Sequence, residues 1–209
     1  SACLVGSEMC IRDSFGPVYY LNLDEQPERK IYMEAQFKYW QIENYTRISA
    51  YDGREDDLSD IIKGRYPDHM SSGEVGCTTS HLKAIRHWLD TSDSPYAVIM
   101  EDDCSLDLVS YWNFTWNDFY AKVPYDWDVV QIAVICTGDV NIKIHKRFVN
   151  EFSTACYIIT RHHAEKMMKL HWRGKDKYRL DNGVRPRAVA DDLLYLSLIH
   201  ISEPTRQAE

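Results

Sequence analysis

The chain has 209 residues, with 24 basic against 32 acidic side chains and a formal net charge of −8. That balance offers no basic face to a nucleic acid, and no apolar run approaches the ~18 residues of a membrane span. Six widely spaced cysteines form no C-x-x-C pair and no disulfide framework, so reduced thiols and a cytoplasmic setting are expected.

The ends are set aside before the elements are taken in order. Gly6–Ser14 and Leu196–Arg206 resemble in-frame translations of the two strands of a transposase sequencing adapter. Segments 1–14 and 196–209 are therefore expected to be non-native, and 15–195 to be a single domain that lacks both natural ends. That body carries 22 basic and 28 acidic residues, a net charge of −6. It is long enough for one domain with a real core.

Pro17–Leu23 reads as a first strand, ending in Asn22 and Asp24. Pro27 suits the first turn of a helix. Ile31, Met33, Phe37, Trp40, Ile42 and Tyr45 supply an imperfect apolar face through about Tyr45. Arg29 lies in the first helical turn, where the dipole disfavours a cation. It is either a solvated side chain or a phosphate contact beside the helix N-terminus.

Tyr45–Tyr51 is a second strand and Asp52-Gly53 a tight turn. The polar stretch 54–72 lacks periodicity and reads as a mobile flap or an irregular excursion. Gly73–Leu82 leads into a helix reaching about Thr91, with Leu82, Ile85, Trp88 and Leu89 on its apolar face. The glycines and hydroxyls before Leu82 suit close backbone approach to a ligand. Cys77 and His81, four apart, would share a helical face, but no second pair completes a zinc site.

Pro95–Asp103 follows. Its apolar run Tyr96–Met100 reads as a strand buried on both faces, and it ends in Glu101, Asp102 and Asp103. Parallel sheets place ligands outside the carboxyl ends of such strands. Three adjacent acids are costly to desolvate without a cation. Magnesium or manganese, which takes one or two carboxylates plus substrate phosphate, would relieve them. An acidic turn capping the next helix is the other reading.

The aromatic segment 108–123 reads as core in preference to a sugar platform. Trp127–Ile135 is a buried strand, 139–148 a short strand and turn, and Phe152–Thr160 a further strand. Arg161–Trp172 is a helix with Ala164, Met167, Met168 and Leu170 inward, and His162 and His163 as caps or surface residues. Residues 173–187 form a basic loop, and a helix begins at Ala188.

Several segments, taken together in order, are similar to glycosyltransferase family 25, a group of lipooligosaccharide and collagen galactosyltransferases. They are Tyr20–Asp24 with Arg29, Ala50–Gly53, Gly73–His81 and Val98–Asp103, and more weakly Ser153–Thr160 followed by Ala190–Leu194. The resemblance implies an α/β fold of GT-A type, with a central, mostly parallel sheet flanked by helices. It also implies inverting transfer of galactose or glucose from a UDP-sugar to a saccharide or glycoconjugate hydroxyl.

On the same resemblance, Asp103 binds a manganese or magnesium ion, and Glu101 contacts that metal or the donor ribose. Asn22, Arg29, Asp52 and Ser80 line the donor pocket. Asp191 or Asp192 takes the acceptor proton. The cytoplasmic setting expected from the thiols is compatible with membrane association through the acceptor. Two other classes fit the acids less well: a nucleotidyltransferase or phosphohydrolase, and a non-catalytic nucleotide-sugar-binding module.

Overall fold

The computed structural model describes residues 16–112, 114, 116–133, 151–180 and 189–196. Five strands form one sheet in the order β2-β1-β3-β5-β4. They are β1 Val18–Asn22, β2 Tyr45–Ser49, β3 Tyr96–Glu101, β4 Val129–Gln131 and β5 Cys156–Thr160. β1 pairs in parallel with β2 and with β3, whereas β5 runs antiparallel to β3 and β4. The sheet is therefore mixed. Reversal of β5 makes both of its pairings antiparallel, so the expectation of a mostly parallel sheet holds in full only for β2-β1-β3.

Alternation along the central strands divides the core in two. Tyr19 and Leu21, Ala97 and Ile99, and Tyr157 and Ile159 face one layer. Val18 and Tyr20, Val98 and Met100, and Cys156 and Ile158 face the other. Burial on both faces explains why β3 shows no polar alternation. The first layer is covered by helix α2, Ser72–Thr91, through Val75, Leu82, Ile85 and Trp88. The second is covered by helix α1, Pro27–Tyr39, through Met33 and Phe37.

Trp112, Trp116, Phe119 and Tyr120 of the aromatic segment pack on that second layer as expected, whereas Tyr111 is exposed. The short helix α3, Trp116–Tyr120, buries Trp116, stacked on Phe119 with ring centroids 4.8 Å apart. Helices α4, Arg161–His171, and α5, Ala190–Leu196, join the first layer through Met167 and Leu193.

Helix limits depart from the sequence reading for identifiable reasons. α1 stops at Tyr39 because Gln41 turns left-handed at φ 55° and the Ile42 N–H donates to the Phe37 carbonyl at 2.8 Å. That is a Schellman-type end. Ile42 and Tyr45 thus lie beyond the helix, and Ile31 is exposed.

α2 begins ten residues before Leu82, at Ser72. Ser71 and Glu74 form a reciprocal capping box there: the Ser71 hydroxyl accepts from Glu74 N, and the Glu74 carboxylate accepts from Ser71 N. Gly76 is therefore helical, and the close approach it permits is to backbone. A Cβ at Gly76 would lie 2.6 Å from Gly53 N and 2.8 Å from Tyr51 O.

The 54–72 stretch is irregular but anchored. It contains a 3-10 turn, Leu58–Asp60, and buries Leu58, Ile62 and Met70. Ile62 bridges Tyr178, and Tyr178 N donates to Ile61 O at 2.7 Å. β4 and β5 are shorter than the expected strands. Segments 139–148 and 181–187, read as a strand–turn and as part of the basic loop, lie outside the described residues. His163, read as a cap or surface residue, is instead buried and donates from Nε2 to the Leu194 carbonyl at 3.0 Å, tying α4 to α5; Thr160 is the cap.

Two predictions follow from this packing. A Cβ at Gly53 would stand 1.8 Å from the Ser72 carbonyl oxygen, so backbone must move to admit it. Gly53→Ala is expected to cost about 2–3 kcal/mol in urea unfolding.

His171 is buried, and its Nδ1–H donates to the Arg179 carbonyl at 2.8 Å. Burial pushes its pKa down from 6.5 to about 4. The fold therefore favours the neutral ring. That stabilisation is full above pH 6.5 and is lost as pH falls from there through about 4. Between pH 7 and pH 5, wild type is expected to lose about 1–2 kcal/mol more than His171→Asn in matched urea titrations.

Candidate functional site

Because β1, β2 and β3 are parallel, their carboxyl ends gather at one edge of the sheet. Asn22, Ser49 and Glu101 are the last residues of these strands. The polar side chains of that edge form two linked groups.

Asn22 is the hub of the first and is almost fully buried. Its Nδ2 donates to Asp102 Oδ2 at 2.8 Å and to the Gln26 carbonyl at 3.0 Å. Its Oδ1 accepts from Arg47 Nε at 2.8 Å. Arg47 also donates to Asp24 at 2.5 Å, and the Ser49 hydroxyl donates to the other oxygen of Asp24 at 2.9 Å. Arg29 reaches back from the first turn of α1 to donate to Asp102 Oδ1 at 2.9 Å. Both oxygens of the buried Asp102 carboxylate are thus satisfied, one by a neutral amide and one by a cation. Arg29 keeps 48% of its side-chain surface exposed, so it still presents charge outward.

The second group centres on Glu101. Its Oε1 accepts from the Thr154 hydroxyl at 2.5 Å and meets His81 Nε2 at 3.2 Å. The other ring nitrogen, Nδ1, meets the Tyr157 hydroxyl at 3.1 Å. Donor atoms of Cys77, His81 and Glu101 lie within 4.8 Å of one another, so the described residues hold a cluster compatible with a divalent metal. Burial opposes a charged His81 ring, but hydrogen bonds and charge from Cys77 and Glu101 outweigh it and push the pKa up to about 10. Burial likewise raises Glu101, yet His81 and Thr154 prevail and hold it below the usual carboxylate value.

Asp103 behaves differently from its two neighbours. The residue is exposed, but the protein around its carboxylate and the charge of Glu101 raise its pKa against the opposing pull of Arg29. A cation beside it would relieve that repulsion.

The structure therefore brings Asn22 and Arg29 together around Asp102, with Glu101 beside them on the same strand end. Ser80 and Asp52 are engaged elsewhere. The Ser80 hydroxyl accepts from Tyr51 N at 2.8 Å and donates to Gly76 O at 2.6 Å. Asp52 accepts from the backbone and side chain of Arg54. Both shape the 51–56 turn against α2.

Asp191, at the start of α5, accepts from Ser153 N at 2.6 Å and so fixes the residue before Thr154. Asp192 is half-buried beside it.

Asp24, Arg47, Asp102 and Thr154 received no role from the sequence. Arg47 carried a signal: a cation in a short strand, alternate to the inward-facing Ile48. Thr154 and the pairing of His81 with Glu101 carried none, because their partners are 53 and 20 residues away.

The two groups differ in how much they should matter for stability. Asn22→Ala removes the amide from Asp102 and the acceptor from Arg47 inside the protein, and is expected to cost about 2–4 kcal/mol in urea unfolding. Arg29→Ala removes the cation from Asp102 Oδ1 but opens a half-exposed path for water to replace it, and is expected to cost less, about 1–2 kcal/mol.

A family model described as "Glycosyltransferase family 25 (LPS biosynthesis protein)" matches residues 15–181. That span contains both groups of the strand-end site and stops before Asp191 and Asp192. Comparison with curated proteins found no match. Among the described residues, no helix is long and apolar enough to cross a membrane. Membership implies a nucleotide-sugar donor and a glycan acceptor, which agrees with a polar site at the parallel strand ends. The chain belongs to glycosyltransferase family 25 and is a glycosyltransferase.

Proposed function

We propose that this protein moves a hexose, galactose or glucose, from a UDP-sugar to a hydroxyl of a saccharide or glycoconjugate, with inversion and with a divalent cation. The observation that carries the reading is the polar cluster at the carboxyl ends of the parallel strands, where Asp102 braces a half-exposed Arg29 and the next residue, Asp103, is exposed.

A single carboxylate completed by diphosphate oxygens and water suits a hard cation, and Asp103 supplies that carboxylate, while Glu101, oriented by Thr154, contacts the donor ribose. Manganese or magnesium held there would neutralise diphosphate charge as the sugar–phosphate bond breaks. Arg29, braced by Asp102, adds a fixed cation for the diphosphate. Asn22 acts through Asp102 by holding its carboxylate in place. Asp52 and Ser80 support the wall of the donor pocket by fixing the 51–56 turn.

Inversion in one displacement requires a base on the face opposite the leaving group. We assign it to the Asp191–Asp192 pair. Asp191 has one oxygen committed to Ser153 N and so also holds the segment that leads to Thr154. A cytoplasmic setting suits a UDP-sugar donor and agrees with the free thiols of Cys77, Cys104 and Cys156.

Calorimetric titration of UDP with and without manganese tests the donor site. Binding is expected to need the metal and to weaken at least about tenfold in Asp103→Ala. Asp191→Asn and Asp192→Asn are expected to keep UDP affinity, while transfer falls by about 10²–10⁴-fold in the variant that lacks the base. Absence of UDP binding to folded protein with either metal would remove this reading. Binding without transfer to any hydroxyl acceptor would favour a non-catalytic module. Transfer of the nucleotidyl group would favour a nucleotidyltransferase.

A further inference from the structure

Two side chains beside the strand-end site have no part in the chemistry above. Cys77 and His81 stand one turn apart on α2, so they project from one face of that helix. Glu101 meets them from the end of β3. His81 is fully buried, whereas Cys77 and Glu101 are partly open.

We propose that Cys77, His81 and Glu101 bind a borderline-soft divalent ion of the zinc class, distinct from the hard cation expected with the diphosphate. The first argument is donor chemistry. Thiolate and imidazole select zinc over magnesium or manganese, which prefer all-oxygen sites.

The second argument is reach. Bonds of about 2.0–2.3 Å put the donors of a tetrahedral zinc roughly 3.3–3.8 Å apart. The observed donors lie within 4.8 Å of one another, which small side-chain rotations can close.

The third argument is that two of the three ligands already have an outer partner. His81 Nδ1 rests at 3.1 Å from the Tyr157 hydroxyl, which leaves Nε2, the nitrogen facing Glu101, for an ion. Tyr157 is fully buried and kept as the phenol, so it is a hydrogen-bond partner and not a competing charge. Thr154 holds Glu101 Oε1 at 2.5 Å. Such outer contacts orient metal ligands, and losing one lowers affinity by about 10–100-fold.

Without an ion, His81 Nε2 and Glu101 Oε1 meet each other at 3.2 Å. Metal ligands bind in their deprotonated forms, so loading the site releases protons. Three protein ligands leave a fourth position for water or a substrate oxygen. Glu101, 29% exposed, is the side from which one would enter.

Cobalt(II) titration of the whole, chelator-treated chain tests this. The expected result is the strong visible absorption of four-coordinate cobalt with a near-ultraviolet thiolate-to-cobalt band, at one ion per chain. Zinc should bleach both bands and excess magnesium should not. Cys77→Ser replaces a partly open side chain and should abolish the thiolate band, whereas Cys104→Ser should leave it intact. Thr154→Val should weaken cobalt affinity by about 10–100-fold.

No band in folded protein, a band that persists in Cys77→Ser, or displacement by magnesium as readily as by zinc would each overturn the proposal. The readout is the ion's own spectrum. Failure here leaves the donor reading untouched, and loss of UDP binding would leave this site untouched.

Discussion

Three carboxylates in succession at the end of a buried strand cannot share one environment, and the strand-end site is arranged around that constraint. Each acid takes a different course. Glu101 turns toward His81 and Thr154. Asp102 turns inward and is closed off by Asn22 and Arg29. Asp103 stays outside with its pKa raised. A buried carboxylate is tolerable only when both oxygens are met, and meeting those of Asp102 is what fixes Asn22, Arg47, Asp24 and Ser49 in one chain of hydrogen bonds. The network that neutralises the middle acid also binds the ends of β1 and β2 to the end of β3.

The frame beneath the site depends on a second close contact. Gly53 and Gly76 bring the 51–53 turn directly onto α2, and Ser80 secures it by bonding Tyr51 N. This contact sets where the face of α2 that carries Cys77 and His81 meets the end of β3. β5, reversed relative to the other described strands, brings Tyr157 to the same cluster, and the segment leading into it brings Thr154. The site is thus held by three directions of chain, and none of its side-chain groups comes from a single sequence segment.

Much of the frame was legible. The central strands announced themselves by continuous apolar runs, α1 by its proline start, and α4 by its periodic Ala164, Met167 and Met168. The errors were local. Gly73 and Gly76 looked like loop residues, although Ser71-x-x-Glu74 was a capping-box signature that places the start of α2 before them. Gln41 ended α1 early because a left-handed residue without glycine leaves little trace in sequence. Apart from those errors, Ser80 and Asp52, which the resemblance assigns to a donor pocket, engage the 51–56 turn.

By itself, the sequence determined the α/β class, the run of three acids that follows the apolar stretch of β3, and membership in glycosyltransferase family 25. Those properties reside in short runs: apolar continuity, three adjacent charges, and motifs in a fixed order. Only the tertiary structure decided which acid is buried, which is braced and which is open. It also decided that Asn22 serves Asp102, that Asp191 holds Ser153, and that Cys77, His81 and Glu101 converge. The physical reason is that desolvation and hydrogen bonding depend on neighbours tens of residues away, and a reversed strand beside parallel ones chooses those neighbours.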